Sequence, residues 1–436
     1  MNRQTWVDLT DISGWRGNFT GIQRAVYNLA YHFYQDGEAR FFRYDEYSRN
    51  FYIADFAEII RRFEASKVQA APTEAVSKNP KALAISLYAT LPNRVKRKMP
   101  GKVKWAAKKG YGIARNVKNR IGNLGHAPTV TVKGVKAEFS EDDVVLVFGN
   151  NWDRAIFIDD LAQQKVLRKF KLYQLVYDLI PIIGPQLFGV SLFAVYSKYL
   201  FEAVAASDGL FCISRSTQKD LEEFCERVGL NTPPSTVVRL GDTLEEVKAR
   251  PVKRLESESF ILCVGTLEIR KNHMLLYYAW KEAARQHIIV PKLVIVGKPG
   301  WLSEGVQHLL KHDPEVRSGI MVLNSVSDAE LRWLYEKCLF SVYPSVYEGW
   351  GLPIAESLSY GKFCLASNTS SMPEIAGDLI DYFSPYDSGG CLKKILEYSQ
   401  DSKRLQQKED RIRRLYKDTD WHSTYEEVQS FVQPLT

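Results

Sequence analysis

Long apolar runs are what this sequence most plainly lacks. No stretch approaches the roughly 18 residues that a bilayer-crossing helix needs, so no membrane span is expected. The opening MNRQTWVDLTDISGW has no basic segment leading into an apolar one. No secretory leader is therefore expected there, and the reading is of a cytoplasmic protein. Cysteine is sparse: Cys212, Cys225, Cys263, Cys338, Cys364 and Cys391 are the six in the chain, with no CxxC pair. That spacing argues against a zinc ribbon or a disulfide scaffold and predicts reduced, mostly buried thiols. Acidic pairs of the metal-binding DxD type are nearly absent too. Asp418, Thr419 and Asp420 form the one instance, in a polar stretch far from any strand end, where a helix cap is the better reading. There is no internal repeat, no low-complexity tract and no recognisable nucleic-acid module, so nucleic acid is not expected as a partner.

What is present is a globular composition. At 436 residues, with 45% hydrophobic and 25% charged residues, the chain exceeds what one core organises and predicts two domains of roughly 200 residues. Short apolar runs such as DDVVLVFG, KLYQLVYDLIP, DGLFCIS, SFILCVGT, KLVIVGK, GIMVLN, LFSVYPS and GKFCLAS alternate with amphipathic ones. GIQRAVYNLAYHFYQ and SDAELRWLYEKC repeat apolar residues at three and four and predict helices. Strand and helix in alternation imply an α/β protein with parallel sheets covered on both faces. The charged stretch DTLEEVKARPVKRLESES ahead of FILCVG marks a boundary. Domains are expected at 1–250, with a basic insertion near 94–120, and at 251–415. A closing helix is expected over 416–436.

Four elements in the second half sit at strand-to-helix junctions. In YPSVYEGWGLPIAESL, Pro353 lacks an amide hydrogen and suits the first turn of a helix. The amides near Gly351 and Leu352 then lie at a helix N-terminus, which attracts phosphate. Gly349 and Gly351 permit close approach on either side of Trp350. Glu348 falls in the loop and Glu356 in the helix, so the two carboxylates reach a ligand from different sides. In VGTLEIRKNH, Gly265 and Thr266 form a turn after a strand, and Arg270 and Lys271 are expected to open the next helix. Two cations beside such a turn can neutralise a diphosphate that otherwise needs a divalent metal. Taken singly, each element would be surface charge; together they outline a ligand site without a metal or other cofactor.

EGWGLPIAE, GTLEIRKNH, VIVGKPGW and SVSDAEL together resemble the donor half of retaining glycosyltransferase family 4. That resemblance is specific over residues 260–385 and weaker over the first half, and it implies a GT-B fold: two Rossmann-like domains facing a cleft, nucleotide sugar in the second, and the closing helix 416–436 returning to the first. It implies further that Glu348 contacts the donor sugar and Glu356 the ribose. Arg270 and Lys271 would hold the pyrophosphate, and the backbone near Val326 would meet the base. The Gly297-Lys298 form of GKPGW is similar to that of bacterial enzymes building O-antigen and capsule chains. A mannose donor, GDP-mannose, is the first expectation, with 6-deoxysugar or UDP-sugar donors behind it. A sugar-nucleotide epimerase and a silent nucleotide-sugar-binding protein remain as readings of other classes.

In the first half, Gly14, Gly17 and Gly21 precede a helix, and the resemblance places Gly21 near the donor phosphate or acceptor. Arg24 either faces the cleft or makes a surface ion pair. Tyr177-Asp178 stands where similar sequences read His-Asp, which puts the sugar contact of that histidine, and with it the donor, in question, while Asp178 is expected to orient an acceptor hydroxyl, to stabilise developing positive charge or to serve in a structural turn. Asn151 and Asp153 are further acceptor candidates. Residues 94–120 contain eleven Lys or Arg and no acid. Val103, Ala106, Gly110, Ile113, Val117 and Ile121 give this stretch an apolar stripe, which suits an anionic inner-membrane surface or docking on its own domain. A lipid-linked oligosaccharide or polysaccharide acceptor follows from the membrane reading. The sequence leaves the oligomeric state open.

Overall fold

A computed structural model describes residues 3–15, 21–69, 134–154, 156–189, 191–243 and 247–432. The basic stretch 94–120 lies outside the described residues. Two sheets form. The first contains β1 (Thr5–Asp8), β2 (Ala39–Asp45), β3 (Asn50–Ile53), β4 (Val144–Val147), β5 (Lys171–Val176), β6 (Gly209–Cys212) and β7 (Ser235–Val237), in the order β3-β2-β1-β4-β5-β6-β7. It is parallel except for the β2–β3 pair. The second contains β8 (Phe260–Val264), β9 (Lys292–Val296), β10 (Ile320–Leu323), β11 (Ser341–Tyr343), β12 (Cys364–Ser367) and β13 (Asp381–Phe383), in the order β10-β9-β8-β11-β12-β13, and is parallel throughout. In each sheet the strand order reverses once, between β1 and β4 and between β8 and β11. Connections diverge there to opposite faces, which opens a crevice at the carboxyl ends of the strands.

The apolar runs are buried on both faces, as in β4 and β12, where every residue is inside. The predicted helix at GIQRAVYNLAYHFYQ spans Ile22–Asp36 and buries Ala25, Val26, Leu29, Ala30 and Phe33. The helix Asp328–Lys337 opens with a capping box between Ser327 and Glu330, which satisfies two otherwise unpaired backbone donors. All six cysteines are free and buried.

The helix Trp421–Val432 follows the second sheet in the chain but packs on the first half. The Tyr425 hydroxyl donates to Asp36 at 2.6 Å, its ring meets Phe33 edge-on at 4.8 Å, and Arg3 donates to the Val432 carbonyl at 2.8 Å. The acidic DTD motif serves this crossing. Asp420 accepts from the Ser423 amide at 2.6 Å as a cap, Asp418 accepts from the Ser359 hydroxyl at 2.6 Å, and the Thr419 amide donates to Asp242 at 2.6 Å. Gly241 lies beneath the helix start, where a Cβ would stand 2.6 Å from the Trp421 ring. Gly241→Ala is therefore expected to lower stability by about 1–3 kcal/mol through overpacking. Urea unfolding reads this directly, and an unchanged midpoint would mean that Trp421 moves aside freely.

Candidate active site

The loops after β8 and β11 flank the switch point of the second sheet, and they carry the residues singled out above. Gly265 ends β8 with φ +153°, a conformation that favours glycine. A Cβ on Gly297, after β9, would lie 1.9 Å from the Gly265 carbonyl oxygen, so these loops touch backbone to backbone. Arg270 and Lys271 do not open the long helix as expected. They form a separate 3-10 turn, Ile269–Lys271, and the helix starts at His273 after Asn272, whose φ is +56°. The Asn272 side-chain amide donates to the carbonyls of Pro344 (3.1 Å) and Pro385 (2.8 Å), tying this turn to the loops after β11 and β13.

The turn aims both cations at one carboxylate. Arg270 donates to Glu348, to the Tyr347 carbonyl at 3.1 Å and to Glu268 at 2.7 Å. Lys271 stands 2.7 Å from the other Glu348 oxygen and 2.6 Å from the Tyr343 hydroxyl, which itself donates to Glu348 at 3.0 Å. Glu348 is only 7% exposed. Burial alone would raise its pKa, but Arg270 and Lys271 overcome that and hold it down to about 2. The same carboxylates push the Arg270 pKa up against the effect of its own burial. Sequence reasoning missed this arrangement. Glu348 sits between the cations rather than apart from them, Glu268 is a second counter-charge within the basic motif, and Tyr343 and Tyr347 carried no sequence signal.

The first half meets this cluster directly. A Cβ on Gly349 would stand 2.3 Å from the Tyr177 carbonyl and 2.9 Å from Asp178 Cβ, so only glycine lets the halves approach this closely. Asp178, at the end of β5, accepts from the Ile180 amide at 3.0 Å. Burial raises its pKa, Arg270 opposes the rise and Glu348 adds to it. Its carboxyl thus faces the cationic turn across the contact. Tyr177 does not enter the cleft: its hydroxyl donates inward to the Phe148 carbonyl at 2.8 Å. Asn151 is fully buried and donates to Asp8 at 3.1 Å. Its amide is used within the first half rather than offered to an acceptor. Asp153 is exposed. Nearby, Asp11 accepts from the Asn150 amide at 2.9 Å, and burial with the Asp8 charge pushes its pKa up to about 6.

The helix Leu352–Ser359 carries Pro353 in its first turn, as expected, with Gly351 as its N-cap. Gly351 packs closely, since a Cβ would meet the tip of the Ile375 side chain at 2.8 Å. Leu352 is half-buried at the helix start. The Ser371 hydroxyl donates to the carbonyls of Glu348 (2.9 Å) and Trp350 (3.2 Å), which shapes the loop ahead of the helix. Trp350 is buried with Arg239 over its ring at 5.5 Å. Glu356 accepts from Tyr335 at 2.9 Å. Burial raises its pKa, while Arg24 of the first half, close enough to be felt, lowers it. Arg24 also donates to the Thr243 carbonyl at 3.0 Å. Thr266 and Lys298 are exposed and Val326 is half-buried just after β10. Gly21 is the N-cap of the helix Ile22–Asp36, with φ +49°. Among the described residues no cluster of His, Cys, Asp or Glu suited to a metal is found.

Two Rossmann-like parallel-sheet domains whose strand ends meet in this way define the GT-B fold. Anabaena HepE, solved with UDP and glucose, superposes with a TM-score of 0.60 at 14% identity over 99% of both chains. Sucrose-phosphate synthase of Thermosynechococcus elongatus gives 0.57 at 12% identity, over 99% of this chain and 98% of that one. Residues 245–415 match the family model Glycosyl transferases group 1. O-antigen chain mannosyltransferase B of Escherichia coli is 34% identical over 149 residues, 34% of this chain and 39% of that protein. The serotype-specific mannosyltransferase WbdA of Escherichia coli is 25% identical over 277 residues, 60% of this chain and 34% of that protein. The chain thus spans between a third and two-fifths of the length of these curated relatives.

Proposed function

We propose that this protein is a retaining, metal-independent glycosyltransferase. It moves mannose from GDP-mannose onto a growing, lipid-linked surface polysaccharide. The observation that carries the reading is that Arg270 and Lys271 are both held on Glu348 in the loop just ahead of the helix Leu352–Ser359, at the second sheet's switch point. The likeness of part of the chain to O-antigen mannosyltransferases supports the sugar and the acceptor class. The nucleotide sugar lies in the second half, with Glu356 on the ribose, Val326 beside the base and Gly265 and Gly297 letting the backbone approach. As the bond from the anomeric carbon to the diphosphate breaks, charge gathers on the leaving oxygens. Arg270, Lys271 and the helix amides stabilise it in a site that excludes water. Glu348 holds the cations in place and contacts the sugar. Asp178 orients the acceptor hydroxyl from the first half. The acceptor oxygen bonds to the same face of the sugar, and its proton passes to the departing phosphate.

Fixed cations in place of a metal make one outcome decisive. With GDP-mannose as donor and a mannose oligosaccharide as acceptor, turnover is expected to be unchanged by excess EDTA and the new linkage to keep the donor's anomeric configuration by NMR. Loss of turnover with chelator and its return with manganese would overturn the reading. No helix among the described residues is long and apolar enough to cross a membrane. The protein is proposed to work at the cytoplasmic face of the inner membrane as a peripheral enzyme.

A further inference from the structure

The two halves are joined by contacts that go beyond close packing. The helix Arg215–Val228 of the first half points its N-terminus at the second half. There the Glu374 carboxylate accepts from the amides of Arg215 and Ser216, both at 2.8 Å. A carboxylate at that end of a helix satisfies unpaired donors and complements the dipole. One turn further along the same helix, Asp220 accepts from the Tyr347 hydroxyl through both its oxygens, at 2.9 and 2.8 Å. Tyr347 is therefore held at two ends that belong to different halves. Its hydroxyl is fixed on Asp220 of the first, and its carbonyl takes the Arg270 guanidinium of the second at 3.1 Å. The residue after it is Glu348, whose carboxylate pairs with both cations. The neighbouring Val346 amide donates back to the Arg270 carbonyl at 2.9 Å. Movement of the Arg215–Val228 helix away from the second half would pull on one strut that ends at the cationic turn.

We infer that Tyr347 is a positioning residue that couples docking of the two halves to the geometry of Arg270 and Glu348, so that the cationic turn, already held by Glu268 and Tyr343, is tightened when the first half is docked. The inference rests on the glycosyltransferase reading for its catalytic consequence, but the coupling itself is a property of the fold. Tyr347 touches neither donor nor acceptor in this account. It acts through the peptide group it shares with the Arg270–Glu348 pair.

The test compares Tyr347→Phe, Asp220→Ala, Asp220→Asn and the double variant Tyr347→Phe/Asp220→Ala with the parent protein. Two measurements are made: hydrogen exchange in peptides covering 215–220, 268–273 and 346–348, and turnover of GDP-mannose. Tyr347→Phe and Asp220→Ala are each expected to speed exchange in all three peptides and to lower turnover about tenfold, the scale of one hydrogen bond to a charged group. The double variant is expected to be no worse than either single one, because one contact is lost once. Asp220→Asn keeps an acceptor oxygen and is expected within about threefold of the parent. The inference is overturned if Tyr347→Phe speeds exchange only in 215–220 while the other two peptides stay as in the parent, or if the single effects add. If the parent shows no transfer at all, the proposed function fails, and the exchange pattern alone still decides the coupling.

Discussion

Replacing Lys271 with alanine is expected to cost at least about a hundredfold in turnover while leaving the protein folded, the scale seen when one preorganised donor to a developing anion is removed. The Lys271 ammonium group is largely buried, 2.7 Å from Glu348 and 2.6 Å from Tyr343, so its position is fixed before a donor arrives. In the proposed reaction, charge fixed in that way needs no reorganisation as the leaving group departs. The fold should survive because Glu348 keeps Arg270 as a partner, so no carboxylate is stranded. Steady-state kinetics with GDP-mannose, beside a thermal melt, separates the two effects. Near-normal turnover would remove Lys271 from the chemistry.

Glu348→Ala is expected to act differently, losing both activity and stability. It leaves Arg270 with one remaining carboxylate partner, Glu268, and Lys271 with only a phenol, and both cations are no more than 16% exposed. Removing one member of a buried ion pair strands its partners, so a loss of about 3 kcal/mol is expected together with turnover down by a hundredfold or more. The effect depends on pH with a definite sign. The Glu348 carboxyl titrates near 2 in the folded protein against an ordinary 4.5. Its stabilisation is complete above pH 4.5 and drains away as pH falls toward 2. Urea unfolding of parent and variant should therefore show a wide gap at pH 7 that narrows by pH 3. A gap independent of pH would mean that Glu348 is not ionised in the folded state.

How much of this could be read beforehand depends on the range of each interaction. Strands such as β4, β8, β9 and β12 were visible because a run buried on both faces is written locally as consecutive apolar residues. The central strand β1 was not, since Thr5–Asp8 contributes only Trp6 and Val7 and owes its place to pairing with β2 and β4. β3, β7 and β13 are three or four residues long and carry no period at all. In the site, the loops at strand ends were legible from Gly, Pro and charge at a junction. What could not be read was partnership. Arg270 and Glu348 are separated by 78 positions, and nothing in either segment says that one carboxylate will lie between two cations. Asn151 looked like a free amide at a strand end, but Asp8, which claims it, lies 143 positions away.

The helix Trp421–Val432 has a bearing on how the molecule is made. Its partner face, with Phe33 and Asp36, is synthesised almost four hundred residues earlier, and the entire second sheet intervenes. During translation the early domain must wait with that flank uncovered until the ribosome has finished its neighbour. Vectorial synthesis therefore cannot close the first half before the helix Trp421–Val432 has emerged.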